Sequence, residues 1–152
     1  MKNTATLQKV KKGRYIIDVT VGQLYFRDGE SQELQKIGND GVWTRARCIA
    51  ADKNWLYIVD NGELHRVHPQ SNDWVRLNCF EGALTRSVWF DHRWLYVIAR
   101  TNSAVDNQQI FAEIWRLKPN QPEVKECVAK RVRMDMPSYE QSLDRKIYLD
   151  IS

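Results

Sequence analysis

Residues 55–60 read WLYIVD and residues 94–99 read WLYVIA, 39 positions apart. A hexapeptide written twice at that separation marks a repeated structural unit, because internal periods of roughly 20 to 50 residues belong to solenoids, propellers and arrays. Each copy sets aromatic and β-branched residues side by side over strand length. The chain therefore has to fold so that two equivalent strands find two equivalent settings.

Strand-like runs fill the rest of the sequence. In order they are RYIIDVTV, QLYFRD, ELQKIG, VWTRARCIAAD, WLYIVD, ELHRVH, WVRL, RSVWFDHR, WLYVIAR, AEIWRLKP, EVKECVA and KIYLDIS. Turn residues separate them, and Asn61-Gly62 between two runs is a hairpin signal, because both central positions of a type I′ turn need positive φ. The best helical candidate is Ser138–Lys146, after Pro137. The amphipathic segments of 10–15 residues that an α/β fold requires are missing. The pattern predicts an all-β chain.

Aligning the runs defines the unit. Gln23-Leu24-Tyr25, Trp55-Leu56-Tyr57, Trp94-Leu95-Tyr96 and Lys146-Ile147-Tyr148 share an apolar-Tyr step. After the first three come ELQKIG, ELHRVH and EIWRLK, opening on Glu33, Glu63 and Glu113. Four antiparallel strands per ~40 residues is the make-up of a β-propeller blade. The spacing predicts one domain over residues 1–152, with about three to four blades. The units fall at 14–45, 46–82 and 83–133, with 134–152 plus 1–13 forming a shared or incomplete unit. The repeated Trp and Tyr are expected to fill the slots between blades. KIYLDIS matches a second strand and TLQKVKKG a third, so the two chain ends are expected to build one sheet. That closes the ring within one chain, or between two chains as a homodimer by strand exchange; a third option is that the chain is a piece of a longer propeller.

The pattern x-L-Y-x-V, G-x-L-x-R-V/L-x-P, x-W-x-x-L over residues 14–133 resembles the blades of kelch-like and tachylectin-like β-propellers. The paired glycines of kelch repeats, the Gly-His and Trp-Asp pairs of WD40 repeats and a clear Asp-box are all missing. The resemblance implies a fold of stacked four-stranded sheets.

Composition narrows the function classes. Cys48, Cys79 and Cys127 are odd in number and form no CxxC, which points to reduced thiols rather than a disulfide framework or zinc knuckle. No apolar leader and no ~18-residue apolar run occurs, so the chain is expected to be cytoplasmic, without a membrane partner. The net charge of +4 is scattered. GxSxG, GxGxxG and GxxxxGK[ST] are absent. His65 and His68 fall on opposite faces of a strand and cannot easily share a metal. No catalytic residue, metal or cofactor is assigned.

What remains is binding. Thr44-Arg45 and Thr85-Arg86 precede matching strands, where converging arginines would make a positive rim for carboxylate or phosphate. Trp43, Trp89 and Tyr139 could supply stacking faces, and His92 sits in the turn DHR. Trp43, Arg45, Arg86, Trp89 and His92 are the candidate ligand-binding set. The long insertion TNSAVDNQQIFAE offers Asn102, Asp106, Gln109 and Phe111 for a partner. The sequence predicts a non-enzymatic binding or scaffolding module that recognises another protein through one loop face. The alternatives are a lectin-like binder of carbohydrate or an anionic ligand, and a propeller hydrolase.

Overall fold

The computed structural model describes residues 8–77, 83–91, 93–101, 105–106, 109–134 and 145–152. Among them every regular element is a strand. These are β1 (Gly13–Asp18), β2 (Gln23–Asp28), β3 (Leu34–Ile37), β4 (Ala46–Ala51), β5 (Leu56–Asp60), β6 (Glu63–Val67), β7 (Trp74–Leu77), β8 (Ala83–Asp91), β9 (Trp94–Thr101), β10 (Val105–Asp106), β11 (Gln109–Lys118), β12 (Gln121–Met134) and β13 (Lys146–Ile151). Most of the helical candidate Ser138–Lys146 lies outside the described residues, and its last residue opens β13.

The strands form three antiparallel sheets: β13-β1-β2-β3, β4-β5-β6-β7, and β8-β9-β11-β12 with the two-residue β10 beside β11. The two chain ends do share a sheet, but not as the sequence suggested. β13 is its first strand rather than a second one, and it pairs with β1 from Gly13↔Ile151 to Asp18↔Lys146. Residues 8–12 lead into β1 without joining the ladder. This register turns Ile147, Leu149 and Ile151 onto the same core as Tyr15 and Ile17.

The observed pairing moves the repeat by one strand in the first sheet. Tyr15 is flanked by Leu149 and Phe26, Tyr57 by Ala50 and Arg66, and Tyr96 by Trp89 and Arg116. The partner of WLYIVD and WLYVIA is therefore Gly13–Asp18, not Gln23–Asp28. The turns agree, because Gly22 and Gly62, 40 positions apart, both have positive φ, as do Gln32 and Asn72. Equivalent backbone bonds close those loops: Asp28 N to Glu33 O at 3.0 Å, and His68 N to Asp73 O at 2.8 Å.

The sheets stack in series. The face of the first sheet that carries Tyr15, Ile17, Leu24 and Phe26 packs on Ile49, Leu56, Ile58 and Val67 of the second. The other face of the second sheet, with Tyr57, Val59, Leu64 and Leu77, packs on Val88, Leu95, Val97 and Leu117 of the third. We call the Tyr-bearing side of each sheet its front and the opposite side its back. Fronts meet backs at both interfaces, which is the stacking that a four-stranded sheet with two apolar faces needs. The first strands β13, β4 and β8 lie next to one another along the stack.

Candidate interaction face

Among the described residues the stack leaves two faces uncovered, and their chemistry differs. The back of the first sheet is polar. Arg14 stands where the other sheets have Leu56 and Leu95, and Arg27 where they have Val67 and Leu117. Arg14 Nε donates to Asp150 Oδ1 at 2.6 Å across the strands. That hydrogen bond holds the Asp150 carboxyl below the usual carboxylate range and raises the Arg14 guanidinium. With Asp18, Tyr25 and Lys146 these groups line an open groove of about 800 Å³. Charged groups of this kind make the back of the first sheet a solvated face.

The front of the third sheet is aromatic and aliphatic. Strand alternation places Trp94, Tyr96 and Ile98 of β9 on it, beside Trp89 of β8, Ile114 and Arg116 of β11, and Glu126 of β12; Val124 stands two residues before Glu126, and Val128 is the extra residue at the bulge between Cys127↔Trp115 and Ala129↔Ile114. Trp89 and Tyr96 are cross-strand partners stacked at 5.4 Å and 9°. Arg116 lies over Trp94 at 4.3 Å with Lys118 at 5.6 Å, and its Nη2 donates to Glu126 Oε1 at 2.8 Å. Trp89, Val124 and Val128 are 39%, 41% and 43% exposed.

The second sheet shows what this face looks like when covered. There Arg66 lies over Trp55 at 4.7 Å, with Lys9 at 5.0 Å. Asp52 fixes the approach: its Oδ1 accepts the N–H groups of Asn54 and Trp55, and its Oδ2 accepts the Tyr57 hydroxyl, each at 2.8 Å. Tyr57 is fully buried, and burial, followed by the Asp52 charge, pushes its phenol far above the ordinary range. In both sheets the arginine Nε is buried without a hydrogen-bond partner, as expected for a guanidinium lying flat on an indole. The first sheet lacks this pair, because Gly13 and Phe26 replace the Trp and Arg; Tyr15 instead packs on Phe26 at 4.7 Å.

Of the five ligand candidates from the sequence, the described ones Trp43, Arg45 and Trp89 do not share one surface. Trp43 lies between the first and second sheets, 1% exposed, where its Nε1 donates to Asn72 Oδ1 at 2.8 Å. Its ring meets His65 and Trp74 edge-on. It therefore turns no face to a ligand, because core packing against the second sheet encloses it. Arg45 is exposed and donates to Asn61 Oδ1 at 3.2 Å, bracing the Asn61-Gly62 turn. Gly62 O in turn accepts the Thr85 N–H at 2.9 Å, so Arg45 and the start of β8 meet at that turn.

Arg45 and Arg86 are nevertheless not repeat equivalents. The strand register steps over Arg47 between Ala46 and Cys48 and over Arg86 between Thr85 and Ser87, so Arg47 matches Arg86. Trp89 lies on the uncovered front. His92, Asn102 and Tyr139 lie outside the described residues. Of Asp106, Gln109 and Phe111 the backbone alone is described: Asp106↔Gln109 closes the β10–β11 hairpin and Phe111 pairs with Arg133. Sequence reasoning missed Tyr96 and Arg116 as members of one face. The signal was available in the alternation of Trp94, Tyr96 and Ile98.

No protein-family model matches the chain. It is similar to the TBC1 domain family member whacked of Drosophila melanogaster, at 26% identity over 106 residues. The match covers 68% of this chain and 27% of that protein, so the chain spans about a quarter of the length of the relative. Among the described residues no helix is long and apolar enough to cross a membrane.

Proposed function

We propose that the chain is a β-propeller-type, non-enzymatic protein-binding module whose recognition surface is the front of the third sheet. The observation that carries this reading is the contrast between equivalent faces. Two fronts are buried against neighbouring sheets, and the third carries the same residue types uncovered. Four strands about 4.8 Å apart, with five or six residues at about 3.3 Å, give a face on the order of 400 Å². The largest apolar patch of a typical monomer is of about that size and is often functional. Its Trp, Tyr and Arg are the side chains that dominate binding hot spots.

The lectin-like reading has less support, because it asks for one equivalent aromatic pocket per sheet. The first sheet has Gly13 at the Trp position, and in the second sheet Arg66 and Lys9 cover Trp55. Similarity to a quarter of a TBC1 domain family member suits a module that larger proteins carry. The test is affinity capture with the intact chain and with the double variant Val124→Lys/Val128→Lys, both checked for unchanged melting. Stoichiometric capture of one protein by the first and loss of it with the second is the expected result. Capture that ignores the double substitution would overturn this choice of face.

A further inference from the structure

We infer that the start of the first strands β4 and β8 is an oxyanion site, built from Arg45, Arg47, Arg86 and Arg100, that takes a phosphate group carried by a small molecule. The repeat itself marks the place. The strand register takes in an extra residue at the same point of both sheets, Arg47 between Ala46 and Cys48 and Arg86 between Thr85 and Ser87. Such bulges re-aim a side chain, and they are frequent at rims and beside functional sites. Three ties bring the two bulges together. β4 and β8 come within 8 Å of each other, Cα to Cα. The Cys48 thiol donates to Val88 O at 3.3 Å and accepts the Val88 N–H at 3.5 Å, so Arg47 and Arg86 stand just before residues in contact. Gly62 O accepts the Thr85 N–H at 2.9 Å, and Arg45 Nη1 donates to the neighbouring Asn61 Oδ1 at 3.2 Å. Arg100 joins from β9, where it pairs with Leu84, two residues before Arg86.

The charge at these strand ends is mostly positive. Arg45 and Arg47 are exposed, and Arg86 and Arg100 are half-buried. The carboxylates of the β5–β6 hairpin have other partners: Asp60 Oδ2 accepts the Arg45 backbone N–H at 3.1 Å, and Glu63 Oε1 accepts Arg76 Nη1 of β7 at 3.1 Å. Among the described residues no ion pair includes Arg45, Arg47 or Arg100. Arg45 gives one donor to Asn61, and a guanidinium has others to offer. Several guanidiniums around one point favour phosphate over carboxylate. A carboxylate presents one edge, which a single bidentate arginine saturates. A phosphate group presents three acceptor oxygens and up to two negative charges, enough for arginines of both sheets at once.

Isothermal titration of the purified chain with inorganic pyrophosphate in about 0.15 M salt tests this, because screening over about 8 Å suppresses attraction to scattered surface charge. The expected result is a single class of site that binds pyrophosphate at least about tenfold more tightly than citrate, a polycarboxylate of similar charge. Arg47→Ala should weaken that binding at least about tenfold and leave the melting temperature unchanged, since Arg47 is exposed. Lys36→Ala, on the outer strand of the first sheet, should leave the affinity intact. No binding up to about 5 mM pyrophosphate, equal binding of citrate, or binding indifferent to Arg47→Ala would overturn the inference. The titration involves no protein partner, so its outcome is independent of the capture experiment.

Discussion

Arg116 lies over the ring of Trp94 at 4.3 Å, and the contact repeats that of Arg66 over Trp55 at 4.7 Å one sheet earlier. The pairs are equivalent in register and unequal in setting. Trp55 packs against the core between the second and third sheets, with Lys9 and His68 also on it. Trp94 belongs to the uncovered front. From sequence alone, Trp55→Ala and Trp94→Ala are expected to be equally damaging. The structure predicts about 2–4 kcal/mol for Trp55→Ala and about 1–2 kcal/mol for Trp94→Ala, the first losing packing that a second sheet supplies. Urea unfolding at low micromolar protein measures both, and equal losses would contradict the difference in burial.

Gly38 and Gly41 make a second comparison, because both have positive φ, +69° and +82°. An alanine at either position carries the left-handed backbone penalty of about 1 kcal/mol. At Gly41 nothing lies within 4 Å of the added methyl group, whereas at Gly38 it would clash with Asn72 Cβ. Asn72 cannot retreat freely, since it is buried and holds Trp43. Gly41→Ala should cost about 1 kcal/mol and Gly38→Ala about 3 kcal/mol, the excess arising from overpacking. Denaturant midpoints at constant slope would show the order, and its reversal would contradict the stated contact.

The Trp43–Asn72 bond joins the linker after β3 to the loop before β7, deep between two sheets. Trp43→Phe removes the donor and leaves the Asn72 carbonyl buried and unmatched, a loss of about 1–3 kcal/mol. Asn72→Ala strands the indole N–H and also gives up a residue tolerant of φ = 66°. A double-mutant cycle should show coupling of at least about 1 kcal/mol. Additive losses would mean that the hydrogen bond contributes little.

Much of the fold was legible in the chain. Strand-length alternation, the Asn61-Gly62 turn and the repeated WLY hexapeptide gave four-stranded units and a sheet shared by the two ends. The first unit was misaligned because Gln23-Leu24-Tyr25 imitates Trp-Leu-Tyr while the true counterpart has lost its mark, with Gly13 replacing the tryptophan. The 40-residue match of Gly22–Glu33 with Gly62–Asp73 held the correction. Two features of the site were not legible. The register shifts that make Arg47, not Arg45, the match of Arg86 depend on cross-strand pairing. The enclosure of Trp43 depends on a contact 29 residues away. Which repeat face ends up uncovered follows from stacking order, and local sequence does not encode it.

Stability should fall steeply in alkali because of Tyr57. Burial and the neighbouring Asp52 raise its phenol far above the ordinary value near 10. Burial also raises Tyr15, against the opposing bond from Lys11. An acid whose native pKa is raised stays protonated in the fold while its unfolded form ionises. The stabilisation is thus complete below about pH 10 and is lost as pH rises beyond it, at up to about 1.4 kcal/mol per pH unit for each such group. Tyr57→Phe removes one ionisation together with the hydrogen bond to Asp52. At neutral pH the variant should be less stable by about 1–2 kcal/mol. Above about pH 10 its stability should decline less steeply than that of the native chain, so the two curves converge. Urea unfolding from neutral to strongly alkaline pH, with phenolate absorbance followed in parallel, measures this. Parallel curves throughout would mean that Tyr57 ionises as readily in the fold as in the unfolded chain.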